Sequence, residues 1–227
     1  MVKAFAEAAK ANECTLTGGE TSWQPGVIPE GTYILTASIV GVVEKERIID
    51  GSKIQKGDVV LALQSSGVHT NGISLVRKLI ETKPEILKEM ISDKPFIQAV
   101  LEPHRAYYTA LKGLFGKDGL VGLAHITGGG IQENLNRILP DALNAEIELN
   151  KIKVLPIFKT LKKSGGLNDA DMLRTFNMGV GMAAVVRKDF ADEAIAHLEK
   201  NGVDSYEIGV ITEGDKTVHF TGALNWN

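Results

Sequence analysis

The sequence predicts an α+β fold built around β-α-β units. Runs of β-branched and other apolar residues, typical of buried strands, alternate with segments whose apolar residues recur at helical spacing. The 227 residues are enough for one large domain, or for one domain and part of another. Hydrophobic residues make up 44% of the chain, a share that is ordinary for a packed core.

The first part of the chain, residues 1–50, is expected to be rich in strands. An alanine-rich helix is predicted over residues 2–12 and a short strand over 14–17. Residues 33–43 are rich in β-branched side chains and predict a strong strand. Two strands and a helix cannot close a core alone. We therefore expect this segment to belong to a domain that is completed elsewhere, or to a partner chain.

A turn at Asp50-Gly51-Ser52 marks the predicted start of a second domain, residues 51–227. Pro103 is placed at the beginning of a helix, where its missing N–H does no harm. The last predicted strand, helix and strand form a β-α-β unit, and the chain has room for two such halves. The predicted strands are 58–64, 120–126, 145–149, 180–186 and 206–212. The predicted helices are 71–81, 85–91, 103–115, 131–138, 156–163, 169–174 and 189–200.

Bulk properties exclude several classes of protein. The formal net charge of −3 offers nothing that would attract nucleic acid or an acidic membrane. No apolar run approaches the ~20 residues that span a bilayer, and the charged residues near the start do not suit a signal peptide. The single cysteine, Cys14, cannot form an internal disulfide, which fits a reducing cytoplasm. We expect a cytoplasmic protein that binds a small molecule rather than nucleic acid or a membrane.

Two glycine-rich loops, each at the end of an apolar strand, indicate a site for a phosphorylated ligand. In the first, residues 65–72, His69 and the loop amides could hold a phosphate or polarise an oxygen, and Asn71 suits a left-handed turn or a helix N-cap. The second places Gly128-Gly129-Gly130 before a predicted helix, whose first N–H groups have no partners of their own. A capping loop with a solvated histidine and a tight strand-to-helix turn are the alternatives. Neither loop has the glycine spacing of a Walker A or Rossmann motif.

Other candidate residues are weaker. Glu20, after Gly18-Gly19, could bind Mg²⁺ or a ribose hydroxyl, or could simply cap a turn. Arg174 could form a bidentate pair with a phosphate, or could tie down a loop. His104, His197 and His219 are assigned to ordinary helix or strand faces, and no cysteine or histidine cluster has the spacing that predicts a zinc site.

The motifs occur in an order that closely resembles the phosphoribosylaminoimidazole synthetases, the phosphoribosylformylglycinamidine cyclo-ligases of purine biosynthesis. The resemblance covers nearly the whole chain, and the ordered set is far more specific than any one motif. Val68 stands where the family usually has proline, which should alter loop stiffness more than chemistry. The main motifs are Leu16-Thr17-Gly18-Gly19-Glu20-Thr21, Ser65-Ser66-Gly67-Val68-His69-Thr70-Asn71-Gly72, Leu101-Glu102-Pro103, Ala124-His125-Ile126-Thr127-Gly128-Gly129-Gly130 and Arg174-Thr175-Phe176-Asn177-Met178-Gly179-Val180-Gly181-Met182.

The resemblance implies a layered α/β/α domain with a mixed sheet over residues 51–227. Residues 1–50 would then be the remnant of an N-terminal ATP-binding and dimerisation domain, of which ~100–150 residues would be missing. It implies a homodimer for full-length members, and ATP and Mg²⁺ as cofactors. The implied reaction is ATP-dependent ring closure of formylglycinamidine ribonucleotide to aminoimidazole ribonucleotide, with the chain alone not fully active.

The resemblance also implies roles for individual residues. His69 and Asn71 would lie at the reacting centre, while Gly18, Gly19 and Glu20 would contact nucleotide, with Glu20 also binding the metal. No general base is assigned. The residues implied to bind substrate or phosphate are Gly67, Thr70, Thr127, Gly128, Gly129, Gly130, Arg174 and Asn177.

Two alternatives remain open. One is a non-catalytic fragment that binds the phosphoribosyl ligand but does not hydrolyse ATP. The other is a different ATP-using member of the same superfamily: selenophosphate synthetase, thiamine-monophosphate kinase, a hydrogenase maturation factor or formylglycinamidine ribonucleotide synthetase. The motifs at 65–72 and 174–182 favour the cyclo-ligase.

Overall fold

A computed structural model describes residues 2–227, which separate into two units, 2–48 and 49–227. In the first unit, helix α1 spans Val2–Ala11, as predicted, and a single 3-10 turn spans Lys45–Arg47. The strands predicted at 14–17 and 33–43 are wrong, because residues 2–48 contain no strand. An extended segment becomes a strand only when a neighbour completes its hydrogen bonds, and this unit supplies none.

The second unit is built on a six-stranded mixed sheet with the order β4-β6-β1-β7-β5-β8. All neighbouring strands are antiparallel except β5 and β8, which are parallel. A separate two-stranded hairpin is formed by β2 and β3. The strands are β1 Val59–Gln64, β2 Met90–Ile91, β3 Lys94–Pro95, β4 Leu120–His125, β5 Leu143–Glu148, β6 Val180–Val186, β7 Ser205–Glu213 and β8 Val218–Thr221.

Helices cover both faces of this sheet, because its central strands are apolar on both sides. In β1, Val60 and Ala62 join one buried cluster, while Leu61 and Leu63 join another. Helices α4 and α8 pack in the second cluster, and α2, α3, α5, α6 and α7 pack in the first. The α/β/α layering is therefore confirmed. These helices are α2 Ile73–Thr82, α3 Phe96–Val100, α4 Tyr108–Leu111, α5 Gly130–Asn136, α6 Pro156–Gly165, α7 Asp169–Thr175 and α8 Ala191–Lys200.

Two interleaved β-α-β connections bring the strand ends together. Strands β1 and β4 are parallel with β6 between them, and β6 and β7 are parallel with β1 between them. The carboxyl ends of β1 and β4 therefore share one edge of the sheet with the amino ends of β6 and β7. The loops 65–72 and 126–129 both leave from this edge. They contain the two glycine motifs that the sequence predicts to bind a phosphorylated ligand.

Several predicted elements differ in detail. The helix predicted from Pro103 begins only at Tyr108, because residues 101–106 are irregular and the Pro103 carbonyl accepts a hydrogen bond from Ser66 Oγ at 2.6 Å. The helix predicted at 85–91 is a short 3-10 helix, Pro84–Lys88, followed by the hairpin. The sequence analysis missed α3, the hairpin and β8, all of which are short. Within residues 2–227, no helix is long and apolar enough to cross a membrane.

Candidate functional site

The loop that follows β1, residues 65–72, is fixed by one buried side chain. Asn177, which is fully buried, donates from Nδ2 to the Gly67 carbonyl at 3.0 Å. Its Oδ1 accepts from Ser65 Oγ at 3.0 Å and from the Gly179 N–H at 2.8 Å. Asn177 therefore joins this loop to the segment that enters β6, and its polar atoms are occupied within the protein. A direct substrate contact for Asn177 stays a prediction.

His69 is the buried polar residue at the centre of the loop. Its backbone has φ of 55°, and its side chain is only 5% exposed. Its Nε2 lies 3.2 Å from the Ser66 N–H, which donates to it, and 3.1 Å from Ser66 Oγ. The Arg105 N–H also points to this atom, at 3.5 Å. Because backbone donors face Nε2, the neutral ring carries its proton on Nδ1, and that atom has no hydrogen-bond partner among residues 2–227.

The surroundings of His69 keep the ring uncharged. Burial, followed by repulsion from His104, His125 and Arg105, lowers the pKa of His69 to about 3. Tyr107 packs edge-on to the ring, with centroids 6.4 Å apart, and its hydroxyl donates to the Gln64 carbonyl at 3.0 Å. Burial raises the pKa of Tyr107, so it too stays neutral. At neutral pH, His69 therefore presents a neutral N–H donor.

The structure brings three histidines together. The rings of His69 and His104 stack with centroids 3.8 Å apart, and His104 Nε2 lies 3.3 Å from His125 Nε2. One nitrogen of each ring lies within 4.8 Å of the other two. Burial, with a smaller effect of His104, also lowers the pKa of His125. The sequence analysis missed this cluster, because its members come from three distant segments and the assignment of His104 to a regular element was wrong.

The other residues of the first loop contribute less directly. Asn71 Nδ2 reaches the Ile126 carbonyl at 3.5 Å, which links the two glycine loops. The N-cap of α2 is Gly72, with φ of 67°, rather than Asn71, and a Cβ at this position would clash with the Phe176 ring. Thr70 is exposed, and Gly67 is buried against the Ala99 carbonyl. The roles implied for Gly67, Thr70 and Asn71 stay predictions.

The triglycine loop, Gly128–Gly130, is held in place by Asn134, a residue that the sequence analysis did not select. Asn134 Nδ2 donates to the carbonyls of Gly128 and Gly130 at 3.2 and 2.8 Å, and its Oδ1 accepts from Thr127 Oγ1 at 3.0 Å. Two loop amides are also engaged, since the N–H of Gly129 donates to Arg174 O and that of Gly130 to Thr127 O, both at 3.0 Å. Phosphate binding by Thr127 and Gly128–Gly130 stays a prediction, with fewer donors to offer than the sequence suggested.

Arg174 lies on a different surface. It borders a groove of about 330 Å³ between α5 and α7, together with Gly129, Glu133 and Asp171. The side chain of Arg174 is 74% exposed, and its Nη2 lies 3.7 Å from the Asp171 carboxylate. The two carboxylates make this groove a mixed-charge surface. The structure thus places Arg174 beside the triglycine loop, whereas Asn177 holds the loop 65–72, which is called the histidine loop below.

The first unit holds the remaining candidates. Gly18, Gly19 and Glu20 lie in an exposed stretch without regular structure. Mg²⁺ prefers several oxygen ligands. Among the described residues, Glu20 does not belong to a group of three or more potential metal ligands; the group found is that of the three histidines. Nucleotide or metal binding by Glu20 stays a prediction.

A known protein family matches the part of the chain that carries this site. Residues 55–221, which include every strand of the six-stranded sheet and all three clustered histidines, match the family described as "AIR synthase related protein, C-terminal domain". The chain belongs to this family. The matched range includes both glycine loops and the Asn177 segment.

Curated relatives extend the similarity to 93% of this chain. A phosphoribosylformylglycinamidine cyclo-ligase from Burkholderia cenocepacia (strain HI2424) and one from Burkholderia orbicola (strain AU 1054) are each 46% identical over 211 residues. The chain spans 60% of the length of these relatives.

Solved structures share the fold at lower identity. The hydrogenase maturation protein HypE from E. coli is 21% identical, with a TM-score of 0.51 over 76% of this chain and 48% of its own. A thiamine-monophosphate kinase from Stenotrophomonas maltophilia K279a is 17% identical, with a TM-score of 0.52 over 81% of this chain and 56% of its own. These likenesses establish the fold and carry no information about the reaction.

Proposed function

We propose that this chain is the C-terminal part of a phosphoribosylformylglycinamidine cyclo-ligase. The reaction would be ATP-dependent closure of formylglycinamidine ribonucleotide to aminoimidazole ribonucleotide, with release of ADP and phosphate. The observation that carries the proposal is the 46% identity over 211 residues to relatives of that name. The thiamine-monophosphate kinase and HypE share only the fold, at 17–21% identity, which makes them weaker guides to the substrate.

The histidine loop is the part of the site that we assign to the substrate. His69 stays neutral, its Nε2 is held by Ser66, and its Nδ1–H has no protein acceptor among the described residues. A neutral donor that is fixed in place can bind an oxygen of the substrate and stabilise negative charge that develops on it. Asn71 and Thr70 lie in the same loop and would orient the substrate beside His69.

ATP would activate the formyl oxygen by phosphorylation, so that attack by nitrogen can expel phosphate. The residues of this chain would position the substrate for that step, which depends more on alignment and charge than on a protein nucleophile. Mg²⁺ would accompany the ATP, and Glu20 is the residue of this chain that we propose to bind it. We further propose a cytoplasmic enzyme that acts as a homodimer in its full-length form.

A non-catalytic binding fragment is the second candidate. It is favoured by one observation, namely that the chain spans 60% of the length of its relatives. On this reading, the chain holds the phosphoribosyl substrate but turns over only when the remaining segment is supplied.

A complementation assay tests the proposal. ATP-dependent formation of aminoimidazole ribonucleotide is measured with the chain alone, and with the N-terminal segment of the Burkholderia cenocepacia relative added in trans. We expect little turnover alone and a marked gain with the added segment. The absence of product in both, with the mixture shown to be folded and to bind ATP, would contradict the proposed reaction.

A further inference from the structure

We propose that His69, His104 and His125 form a binding site for a divalent transition metal of the Zn²⁺ class. The three imidazoles come from separate segments: the loop after β1, the irregular stretch before α4, and the last residue of β4. One nitrogen of each lies within 4.8 Å of the others. Neither the reaction proposed above nor any spacing in the sequence calls for such a site.

The closest pair already has the separation that a metal requires. Two nitrogens bound to one tetrahedral Zn²⁺ at ~2.0–2.1 Å lie roughly 3.3–3.4 Å apart. The distance from His104 Nε2 to His125 Nε2 is 3.3 Å. His104 and His125 are exposed, so their rings can turn toward the buried His69 ring. A metal held by the first two rings would then lie within bonding distance of a His69 nitrogen. The stacked rings of His69 and His104 must tilt in that step, so that their lone pairs converge.

A hydrogen bond on the far side of the His104 ring supports the same arrangement. His104 Nδ1 lies 3.0 Å from the Arg105 carbonyl, which places the ring proton there and leaves the Nε2 lone pair for a metal. To bind a metal through its buried Nδ1, which has no partner in the described chain, His69 must move its ring proton to Nε2. The Nε2–H would then donate to Ser66 Oγ, 3.1 Å away, in place of the hydrogen bond that Nε2 accepts from the Ser66 N–H. The metal and the proposed substrate contact would use the same nitrogen, in alternative states of the site.

The donor set selects the class of metal. Three imidazoles suit Zn²⁺, and also Ni²⁺ and Cu²⁺, whereas Mg²⁺ and Ca²⁺ prefer oxygen ligands. Three protein ligands also leave a fourth tetrahedral position for water or an anionic ligand. The inferred site is therefore an open Zn²⁺ site rather than a closed structural one.

Metal titration of the full 227-residue chain tests the inference, using protein that carries no polyhistidine tag and has been treated with a chelator. We expect one saturable Zn²⁺ site, and Co²⁺ at the same site should give the intense visible bands of a tetrahedral complex. His104→Gln and His125→Gln should each weaken Zn²⁺ binding by more than ~100-fold, beyond the ~10–100-fold loss typical of outer-shell changes. Both residues are exposed, so both variants should fold.

His219→Gln is the matched control, because His219 is exposed on β8 and lies outside the cluster. Its Zn²⁺ affinity should equal that of the unchanged chain. The inference is overturned if no saturable binding occurs, or if His104→Gln and His125→Gln bind Zn²⁺ as tightly as His219→Gln does. Each readout is binding alone and does not depend on turnover.

Discussion

At the scale of single residues, the loop 65–72 depends on two side chains with different tasks. The Asn177 amide donates a hydrogen bond to the loop and accepts one from the segment that enters β6. His69 keeps one ring nitrogen for the protein and leaves the other without a partner within residues 2–227. One residue builds the loop, and the other has a buried ring nitrogen that we propose to meet a ligand. The two kinds of residue call for different tests.

Replacing Asn177 should damage stability more than chemistry. In Asn177→Ala, the buried Gly179 N–H loses its acceptor and the Gly67 carbonyl loses the Asn177 amide as its donor, so we expect unfolding to become easier by about 1–3 kcal/mol. Urea denaturation measures this difference. Asn150→Ala, at an exposed position, is the control and should change stability little. Equal stability of the two variants would contradict the role assigned to Asn177.

His69 should make the protein less stable in acid. Its pKa is about 3 when folded, against an ordinary value of 6.5, so between those values only the unfolded chain binds the proton. The free energy of unfolding must therefore fall as pH drops through this window. His69→Gln should lose less stability than the unchanged chain between neutral pH and about pH 4.5, measured by urea denaturation with chelator present. The same loss in both proteins would show that His69 is not held neutral.

The sequence predicted His69 but not its neighbours, and the reason is physical. A histidine between glycines after an apolar strand is a visible local signal. His104 and His125 carry no such signal, because their meeting depends on β1 and β4 running parallel and on Pro103 being drawn to Ser66. Asn134 was missed for a different reason: it lies on an ordinary helical position, and its role appears only in its hydrogen bonds to the Gly128 and Gly130 carbonyls at the start of α5.

At the scale of elements, the long strands and helices were predictable, and the short elements were not. The span of β6 is the predicted 180–186, because a continuous β-branched and apolar run suits a strand buried on both faces. The two-residue strands of the hairpin carry too few residues to show a period. Residues 33–43 show the reverse error, since strand-forming residues do not make a strand without a neighbour to pair with.

Hydrogen exchange should separate these two apolar segments. Within residues 33–43, side chains such as Val40, 92% exposed, face solvent, and the backbone forms no ladder. We expect their amides to exchange rapidly in dilute protein, while those of β6 exchange slowly. Mass spectrometry of peptides covering the two segments measures both. Slow exchange of residues 33–43 in dilute protein would contradict the description of the first unit.

At the scale of the whole molecule, fold and family agree, and the chain spans 60% of the length of its curated relatives. The six-stranded sheet gathers the ends of β1, β4, β6 and β7 at one edge, and both glycine loops leave from that edge. This arrangement follows from the antiparallel pairing around β1 and β6, which no local sequence pattern specifies. The position of the site in the fold could therefore be seen only in three dimensions.

Ligand-dependent thermal unfolding tests the central claim, that this domain holds the cyclo-ligase substrate. At about 100 times its Kd, formylglycinamidine ribonucleotide should stabilise the chain by ~2.7 kcal/mol, a rise in Tm of roughly 5–10 °C for a chain of this size. Thiamine monophosphate should give no rise, and His69→Gln should reduce the rise for the first ligand while His219→Gln leaves it unchanged. Stabilisation by thiamine monophosphate, and none by formylglycinamidine ribonucleotide, would contradict the account.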